Sequence, residues 1–309
     1  MRTYRIRHST GYFYDHPVMR SRNLCLLLPR YLSYQTVLYE SLVVNPEPEP
    51  AFELDDGLGN RLYDFTVVKP HINFEVVLDL RVTIQERIWK EGCAKLGDAL
   101  YLQSDYHNSS HLEASIFTFP SRHVVWDDEI EELCAPLRAA HAPPHECAQS
   151  LMELIHREWK FQAGVTHIQT SVSDLLHHKV GVCQDFTHLM LAALRHLGIP
   201  ARYVSGYLET LPKPGKPKLV GADVSHAWVQ AYDPIAGWKD FDPTNNLIPG
   251  ERHITLAFGR DFGDISPLRG LVSGGGQQKM KVSVDVVAEE RADEGLPQMT
   301  KPMPTVNPE

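Results

Sequence analysis

The chain has 309 residues, 43% of them hydrophobic and 22% charged, which is typical of a soluble globular protein with two domains of ordinary size. Its net charge of −9 argues against general binding to nucleic acid or to an anionic membrane surface. No apolar run approaches the ~20 residues that span a bilayer, and no apolar leader segment is evident. With five cysteines that lack disulfide or metal spacing, we expect a location in the cytoplasm.

Residues 1–90 predict a β-rich N-terminal domain. Apolar and aromatic residues alternate with arginines from Tyr4 onward, and the alternation is clear again over residues 74–84. Turn signals such as Asp55-Asp56-Gly57 separate these runs. Short strands at this spacing predict an antiparallel, sandwich-like module. We interpret it as a scaffold or as a domain that positions the substrate.

A mixed connector over residues 91–142 leads into the predicted core, residues 143–287. Within the connector, the acidic segment 126–132 predicts the start of a helix, because carboxylates favour the N-terminal turn. Apolar residues at helical spacing predict one helix over residues 143–159 and a short one over residues 172–178. These helices lead to the segment with the strongest functional signal.

Residues 181–200 predict a helix that begins at a cysteine. Gly198 and Pro200 mark its end. Its apolar stripe recurs at spacings of three and four: Phe186, Leu189, Met190, Ala193, Leu194 and Leu197. Cys183 therefore lies in or just before the first turn, where free amide N–H groups and the helix dipole stabilise a thiolate. The thiolate is the nucleophilic form of cysteine, so this position suits a reactive thiol.

A thiol nucleophile needs a base, and the base needs an orienting group. Downstream, two aromatic-rich runs flank a Pro/Gly turn, which predicts an antiparallel hairpin. If the turn centres on Ile235, the numbers of facing residues sum to 470, so Trp228 faces Asp242. His226 is then the diagonal neighbour of Asp242 on the same face, at roughly 7–8 Å, within reach of an imidazole–carboxylate hydrogen bond. A slip of one residue would separate the two side chains.

The remaining segments give weaker signals. Residues 202–208 predict a strand, and residues 212–218 predict an exposed basic loop. Clean alternation over residues 281–287 predicts a strand that closes the core. Residues 288–309 are rich in Glu, Pro and Met without periodicity, which predicts a disordered tail.

Four stretches in the second half carry a family resemblance. They read Gly-Val-Cys-Gln-Asp (181–185), Leu-Arg-His-Leu-Gly-Ile-Pro-Ala-Arg-Tyr-Val-Ser-Gly-Tyr (194–207), Ser-His-Ala-Trp-Val (225–229) and Gly-Trp-Lys-Asp-Phe-Asp-Pro-Thr-Asn-Asn (237–246). Together they resemble the transglutaminase-like superfamily, and more narrowly its bacterial, cysteine-protease-like branch. Three N-terminal stretches, residues 4–14, 26–30 and 55–61, are similar to the β-rich N-terminal region of that branch.

The resemblance implies an α+β fold with a papain-like transglutaminase core. In such a core, a helix that carries the cysteine packs on an antiparallel sheet that carries the histidine and the aspartate. It implies Cys183 as nucleophile, His226 as base and Asp242 as orienting group.

The activity that the resemblance implies is thiol-dependent cleavage or transfer at a peptide or carboxamide bond, through a thioester on Cys183 and without a cofactor. Hydrolysis is favoured over protein cross-linking. The expected partners are a peptide or protein substrate with an amide group and, for transfer, a primary-amine acceptor.

Three further residues are weaker candidates for substrate binding or for the oxyanion site. Gln184 adjoins the nucleophile and has an amide that can donate to an oxyanion, although a solvent-facing residue of the first turn is an equal alternative. Tyr207 and Trp228 resemble aromatic positions that line the cleft of the family. Packing in the core is the alternative for both aromatic residues.

Two other functions remain open from the sequence. The same fold can serve as a catalytically idle module for peptide binding or assembly, in which the three triad residues are replaceable. A zinc-dependent hydrolase would combine Cys183, His188, His226 and Asp242. However, Cys183 and His188 point about 140° apart on a helix, so we expect no metal site.

Overall fold

The computed structural model describes residues 1–92, 109–165, 170–210, 223 and 225–289, so the predicted basic loop 212–218 lies outside the described residues. The strands are β1 (Arg2–Cys25), β2 (Gln35–Asn45), β3 (Ala51–Asp55), β4 (Arg61–Val67), β5 (His71–Ile84), β6 (Lys160–Phe161), β7 (Val180–Gly181), β8 (Ala201–Leu208), β9 (Ser225–Asp233), β10 (Gly237–Phe241), β11 (His253–Gly259), β12 (Leu268–Gly274) and β13 (Gln278–Glu289). The helices are α1 (Ser109–Ser115), α2 (Glu129–Ala140), α3 (Pro144–Glu158), α4 (Val172–His178) and α5 (Cys183–His196). Among the described residues, none of these helices has the length and apolarity to cross a membrane.

The first sheet is antiparallel and has β1 at its centre. Its order is β2-β5-β1-β4-β3, and β12 and β13 also pair with β1. The register of β1 against β5 shifts between Phe13 and Val18. The first half of β1 therefore pairs with β5 and β13, whereas the second half pairs mainly with β4 and β12. Every second residue of the first half is buried, as expected for a strand with one face on the core: Tyr4, Ile6, His8 and Thr10.

The second sheet, in the order β10-β9-β8-β11, is also antiparallel. Helix α5 packs against β8 and β9, and α2, α3 and α4 pack around α5. The apolar stripe predicted for α5 is buried throughout. The predicted helices and the predicted strand of this region are confirmed as α3, α4 and β8. A helix packed on an antiparallel sheet, behind a β-rich N-terminal region, is the predicted α+β fold.

The two sheets meet along β11, the last strand of the second sheet. The side-chain amide of Gln35 exchanges two hydrogen bonds with the backbone of Thr255, at 2.8 and 2.9 Å. The side-chain amide of Asn60 does the same with the backbone of Phe258, at 2.7 and 2.8 Å. Backbone groups on the outer edge of a sheet otherwise lack partners. Two amide side chains of the N-terminal region therefore satisfy the outer edge of β11.

Two predicted boundaries need correction. The core was predicted to continue to residue 287, but β12 and β13 pair with β1 and so belong to the first sheet. An alternating strand needs a partner, and its sequence does not say which sheet supplies it. The predicted tail also begins too early, because β13 continues through Glu289, whose carboxylate accepts hydrogen bonds from Arg81 and Arg5. The rest of the predicted tail lies outside the described residues.

A buried ion pair ties the segment after β5 to β10. A guanidinium nitrogen of Arg87 lies 2.6 Å from Asp240, and the two side chains are 2% and 0% exposed. The carboxylate of Asp240 also accepts the indole N–H of Trp228 at 2.6 Å. Arg87 in turn donates to the carbonyl of His253 at 3.2 Å and covers the ring of Tyr34 at 4.3 Å. One arginine therefore contacts both outer strands of the second sheet.

We expect Asp240→Ala to lower the free energy of unfolding by about 3–5 kcal/mol, because it leaves the charge of Arg87 buried and unpaired. The measurement is urea unfolding at neutral pH. The matched control is Asp79→Ala, which removes the exposed ion pair with Arg7 and should cost less than about 1 kcal/mol. Equal losses in the two variants would contradict the assignment of Asp240 as a structural anion.

Candidate active site

Cys183 is the first residue of α5 and is half-buried. The backbone N–H of Val182, which precedes the helix, donates to the Asp185 carboxylate at 2.8 Å, so Asp185 caps the helix start as predicted. A Cβ added to Gly181 would lie 2.9 Å from Leu175 and 3.0 Å from Asp185, so this tight approach to the nucleophile requires glycine. The first N–H groups of a helix have no intrahelical partner. The thiol therefore lies beside free backbone donors.

His226 lies on β9, where the helix-facing sheet presents it to Cys183. The residue is 8% exposed. The indole of Trp228, two positions further along β9, stacks on its imidazole with ring centroids 6.1 Å apart and planes inclined by 29°. A Cβ on Gly206, the cross-strand partner of His226, would lie 2.7 Å from the Trp228 ring and 2.0 Å from the Ile254 carbonyl oxygen. Glycine at position 206 therefore lets the indole and β11 approach closely beneath the histidine.

Asp242 follows β10 directly, and the predicted hairpin register brings it to His226. Gly237 pairs with Asp233 and Phe241 with Val229, so the numbers of paired residues sum to 470 as predicted. Asp242 Oδ2 lies 2.8 Å from His226 Nε2, and Asp242 is fully buried. The predicted contact between the two side chains is confirmed.

Five donors surround the Asp242 carboxylate. Its Oδ1 accepts the backbone N–H groups of Thr244 and Asn245, at 3.0 and 3.2 Å, as in a turn stabilised by an aspartate. Its Oδ2 accepts His226 Nε2, His253 Nε2 at 3.1 Å and the side-chain amide of Asn245 at 2.8 Å. A buried carboxylate with this many donors stays ionised and keeps one orientation.

The electrostatics favour a charged imidazole. Burial opposes a positive charge on His226, but hydrogen bonds to Asp242 and Cys183 outweigh it and raise the pKa of His226 to about 10. Burial also opposes the charge of Asp242, yet hydrogen bonds from His226 and His253 hold the pKa of Asp242 well below its usual range. Because His226 Nε2 faces Asp242, its Nδ1 is the nitrogen left for the Cys183 sulfur. The arrangement can therefore hold a thiolate–imidazolium pair beside a fixed anion.

The weaker sequence candidates lie in different surroundings. Gln184 is half-buried beside Cys183. Trp228 is fully buried and contacts His226 from below, so it supports the site rather than lining an open cleft. Tyr207 is fully buried and its hydroxyl lies 2.8 Å from His8 Nδ1. The suggestion that Tyr207 lines the cleft is therefore replaced by its alternative, packing between the two sheets.

The zinc set weighed from the sequence does not come together. His188 is buried away from it, stacked on His123 with ring centroids 5.6 Å apart, and accepts the N–H of Phe262. In the part of the chain that the structure describes, the side chains close enough to share a metal ion are His226, Asp242 and His253. Their ligand atoms already bond to one another.

Sequence reasoning missed two members of the site. Asn245 stands in the Asp-Pro-Thr-Asn stretch, so its proximity to Asp242 was available as a signal, but no role was assigned to it. His253 lies eleven positions beyond Asp242 on another strand, and no local pattern links the two. Only the pairing of β11 with β8 brings His253 to the carboxylate.

Comparison with known proteins decides the family. The model of the transglutaminase-like superfamily matches residues 131–243, and that of the bacterial transglutaminase-like N-terminal region matches residues 4–83. An uncharacterised protein of Mycobacterium tuberculosis is 33% identical over 295 residues, which is 93% of each chain. The chain belongs to the transglutaminase-like superfamily.

Two further relatives of this transglutaminase-like protein are informative. A Pseudomonas aeruginosa protein named protein-glutamine gamma-glutamyltransferase is 32% identical over 121 residues, 38% of this chain and 18% of that protein. A crystal structure from Cytophaga hutchinsonii, titled as that of a "Putative Cysteine Protease", has a TM-score of 0.72 and 22% identity, and covers 96% of this chain and 92% of its own. The second likeness shows that the fold is shared along nearly the whole chain.

The raised pKa of His226 predicts how the stability of this transglutaminase-like protein depends on pH. A folded-state pKa near 10, above the ordinary value of 6.5, contributes stability that is complete below pH 6.5 and is lost as the pH rises toward 10. We expect the urea midpoint to fall between about pH 7 and about pH 8.5 in the wild type and to stay level in His226→Gln.

Other groups titrate outside this window. Burial lowers the pKa of His8 to about 4 and of His188 to about 3, so their effects lie at lower pH. Burial raises the pKa of Cys25 to about 12, from 9.0, so its effect begins above the window. The matched control His71→Gln, a buried histidine of the first sheet, should keep the wild-type fall. A level wild-type midpoint would contradict the charged imidazole.

Proposed function

We propose that this protein is a thiol-dependent enzyme that cleaves or transfers acyl groups at peptide or carboxamide bonds, with Cys183 as nucleophile, His226 as base and Asp242 as orienting group. The observation that carries the proposal is the continuous hydrogen-bonded chain from Cys183 through His226 to the buried carboxylate. The three side chains supply the nucleophile, base and orienting group that thiol catalysis needs.

The proposed reaction begins with the thiolate. The Cys183 sulfur attacks the amide carbonyl, and the oxyanion is held by donors at the start of α5, including the backbone N–H of Cys183, with the side chain of Gln184 as a further candidate. The carbon–nitrogen bond then breaks, and the His226 imidazolium gives its proton to the departing nitrogen. Ammonia leaves from a carboxamide, or an amine from a peptide bond, and a thioester to Cys183 remains.

The second half of the proposed reaction releases the acyl group. Water, or a primary amine in a transferase, gives a proton to His226 and attacks the thioester, which restores the thiol. The names of the two relatives, a glutamyltransferase and a cysteine protease, both fit an acyl-cysteine intermediate. We favour water as the acceptor, and we propose the cytoplasm as the compartment, where a thiol nucleophile stays reduced.

We expect Cys183→Ala to lower turnover at least about 10³-fold, because every step depends on its sulfur. The assay follows ammonia release from glutamine-containing peptides and cleavage of a peptide library by mass spectrometry, each with and without a primary amine. Loss of ammonia without amine incorporation indicates hydrolysis, and a mass increase equal to the amine minus ammonia indicates transfer.

The matched control is Cys147→Ala, which removes a buried thiol bonded to the Ala142 carbonyl and should retain wild-type turnover. If Cys183→Ala keeps full turnover on every amide substrate, the thiol mechanism is wrong. If the wild type turns over nothing and still binds peptides equally well without Cys183, the idle binding module is the better description.

A further inference from the structure

Asp242 serves two histidines, of which the proposed reaction uses one. His253, the first residue of β11, is 1% exposed, and its Nε2 lies 3.1 Å from the same carboxylate oxygen that His226 contacts at 2.8 Å. Trp228 packs edge-on against His253, with ring centroids 5.1 Å apart and planes inclined by 80°. One indole therefore contacts both imidazoles.

The hydrogen bonds define where the protons of His253 lie. An ionised carboxylate only accepts, so Nε2 of His253 carries the hydrogen. Its Nδ1 is buried and has no hydrogen-bond partner among the described residues, so adding a proton there would bury an unpaired donor. The nearby charges are Arg87, which bonds to the His253 carbonyl, and the Asp242–His226 pair. His253 thus donates one hydrogen bond while staying neutral.

We propose that His253 is a positioning residue of the Cys183 site, which fixes Asp242 Oδ2 from β11 so that the carboxylate holds His226 in the orientation that reaches the sulfur. This inference rests on the proposed function. Oδ1 is held by backbone amides of the loop that follows Asp242. His253 instead stands on a strand paired with β8. It therefore ties the carboxylate to the sheet itself.

Neutrality is part of this role. A charged donor such as lysine would compete with the His226 imidazolium for the carboxylate, because opposite charges at this distance interact strongly in a buried site. A neutral N–H satisfies a lone pair of Asp242 and leaves its negative charge available to His226. Loss of that N–H would leave a buried acceptor unsatisfied and free the carboxylate to shift.

The test compares two substitutions. His253→Phe keeps an aromatic ring against Trp228 and removes the donor, whereas His253→Gln keeps an N–H near the position of Nε2. The readout is the alkylation rate of Cys183 by iodoacetamide from pH 4 to pH 9, read by peptide mass. We expect His253→Phe to lower the rate at pH 6 about tenfold and His253→Gln to stay within about threefold of the wild type, a tenfold loss corresponding to one pH unit in the profile.

His71→Phe is the matched control, since it removes a buried histidine of the first sheet and should leave the profile unchanged. A folded His253→Phe protein with the wild-type profile would overturn the inference, as would a loss of stability in both variants without a change in profile. One zinc per purified chain that disappears in His253→Phe would make His253 a metal ligand and also overturn it.

A measurement on the wild type covers the case in which His253→Phe does not fold. Nitrogen-15 NMR of labelled histidine should report the neutral Nε2–H tautomer for His253 from pH 6 to pH 8. The Nδ1–H tautomer or a charged ring would refute the inference and leave the proposed function intact. A wild-type Cys183 that reacts no faster than the buried thiols would instead refute the proposed function, and the role of His253 with it.

Discussion

The structure depends on keeping one carboxylate charged in the protein interior. Asp242 has no solvent exposure, and an isolated charge in such a site costs several kcal/mol. Two backbone amides, one side-chain amide and two imidazoles compensate that cost, all aimed at the two oxygens of one residue. The donors come from three separate segments, so the charge is tolerated only when β9, β11 and the loop after β10 are in place. That requirement orients His226.

A second buried carboxylate supports the first. Asp240 lies two residues earlier, on the same face of the chain, and is balanced by Arg87. The two carboxylates are linked by Trp228, which donates to Asp240 and stacks on His226. An indole joins an apolar body to a single donor, so it can fill the space beneath an imidazole and still satisfy a buried oxygen. The rigid wall beneath the candidate active site is built this way.

The sequence predicted what depends on local periodicity and missed what depends on distant pairing. The helix that begins at Cys183 and the hairpin register that joins His226 to Asp242 follow from patterns within about twenty residues, and both are confirmed. His253 reaches the site through strand pairing that no local pattern specifies, as do β12 and β13, which return to β1. Tyr207 was ambiguous because an aromatic residue on a strand reads alike in a cleft and between two sheets.

The N-terminal sheet is part of the site rather than an appendage. β11 carries His253 at its start and has only β8 as a strand partner, so its outer edge would present unpaired amides. Gln35 and Asn60 satisfy that edge with side-chain amides that imitate a backbone. The position of β11, and with it the donor to the buried carboxylate, therefore depends on residues more than two hundred positions away. Because β12 and β13 then pair with β1, the chain begins and ends in the same sheet, and separating the two regions would open both edges at once.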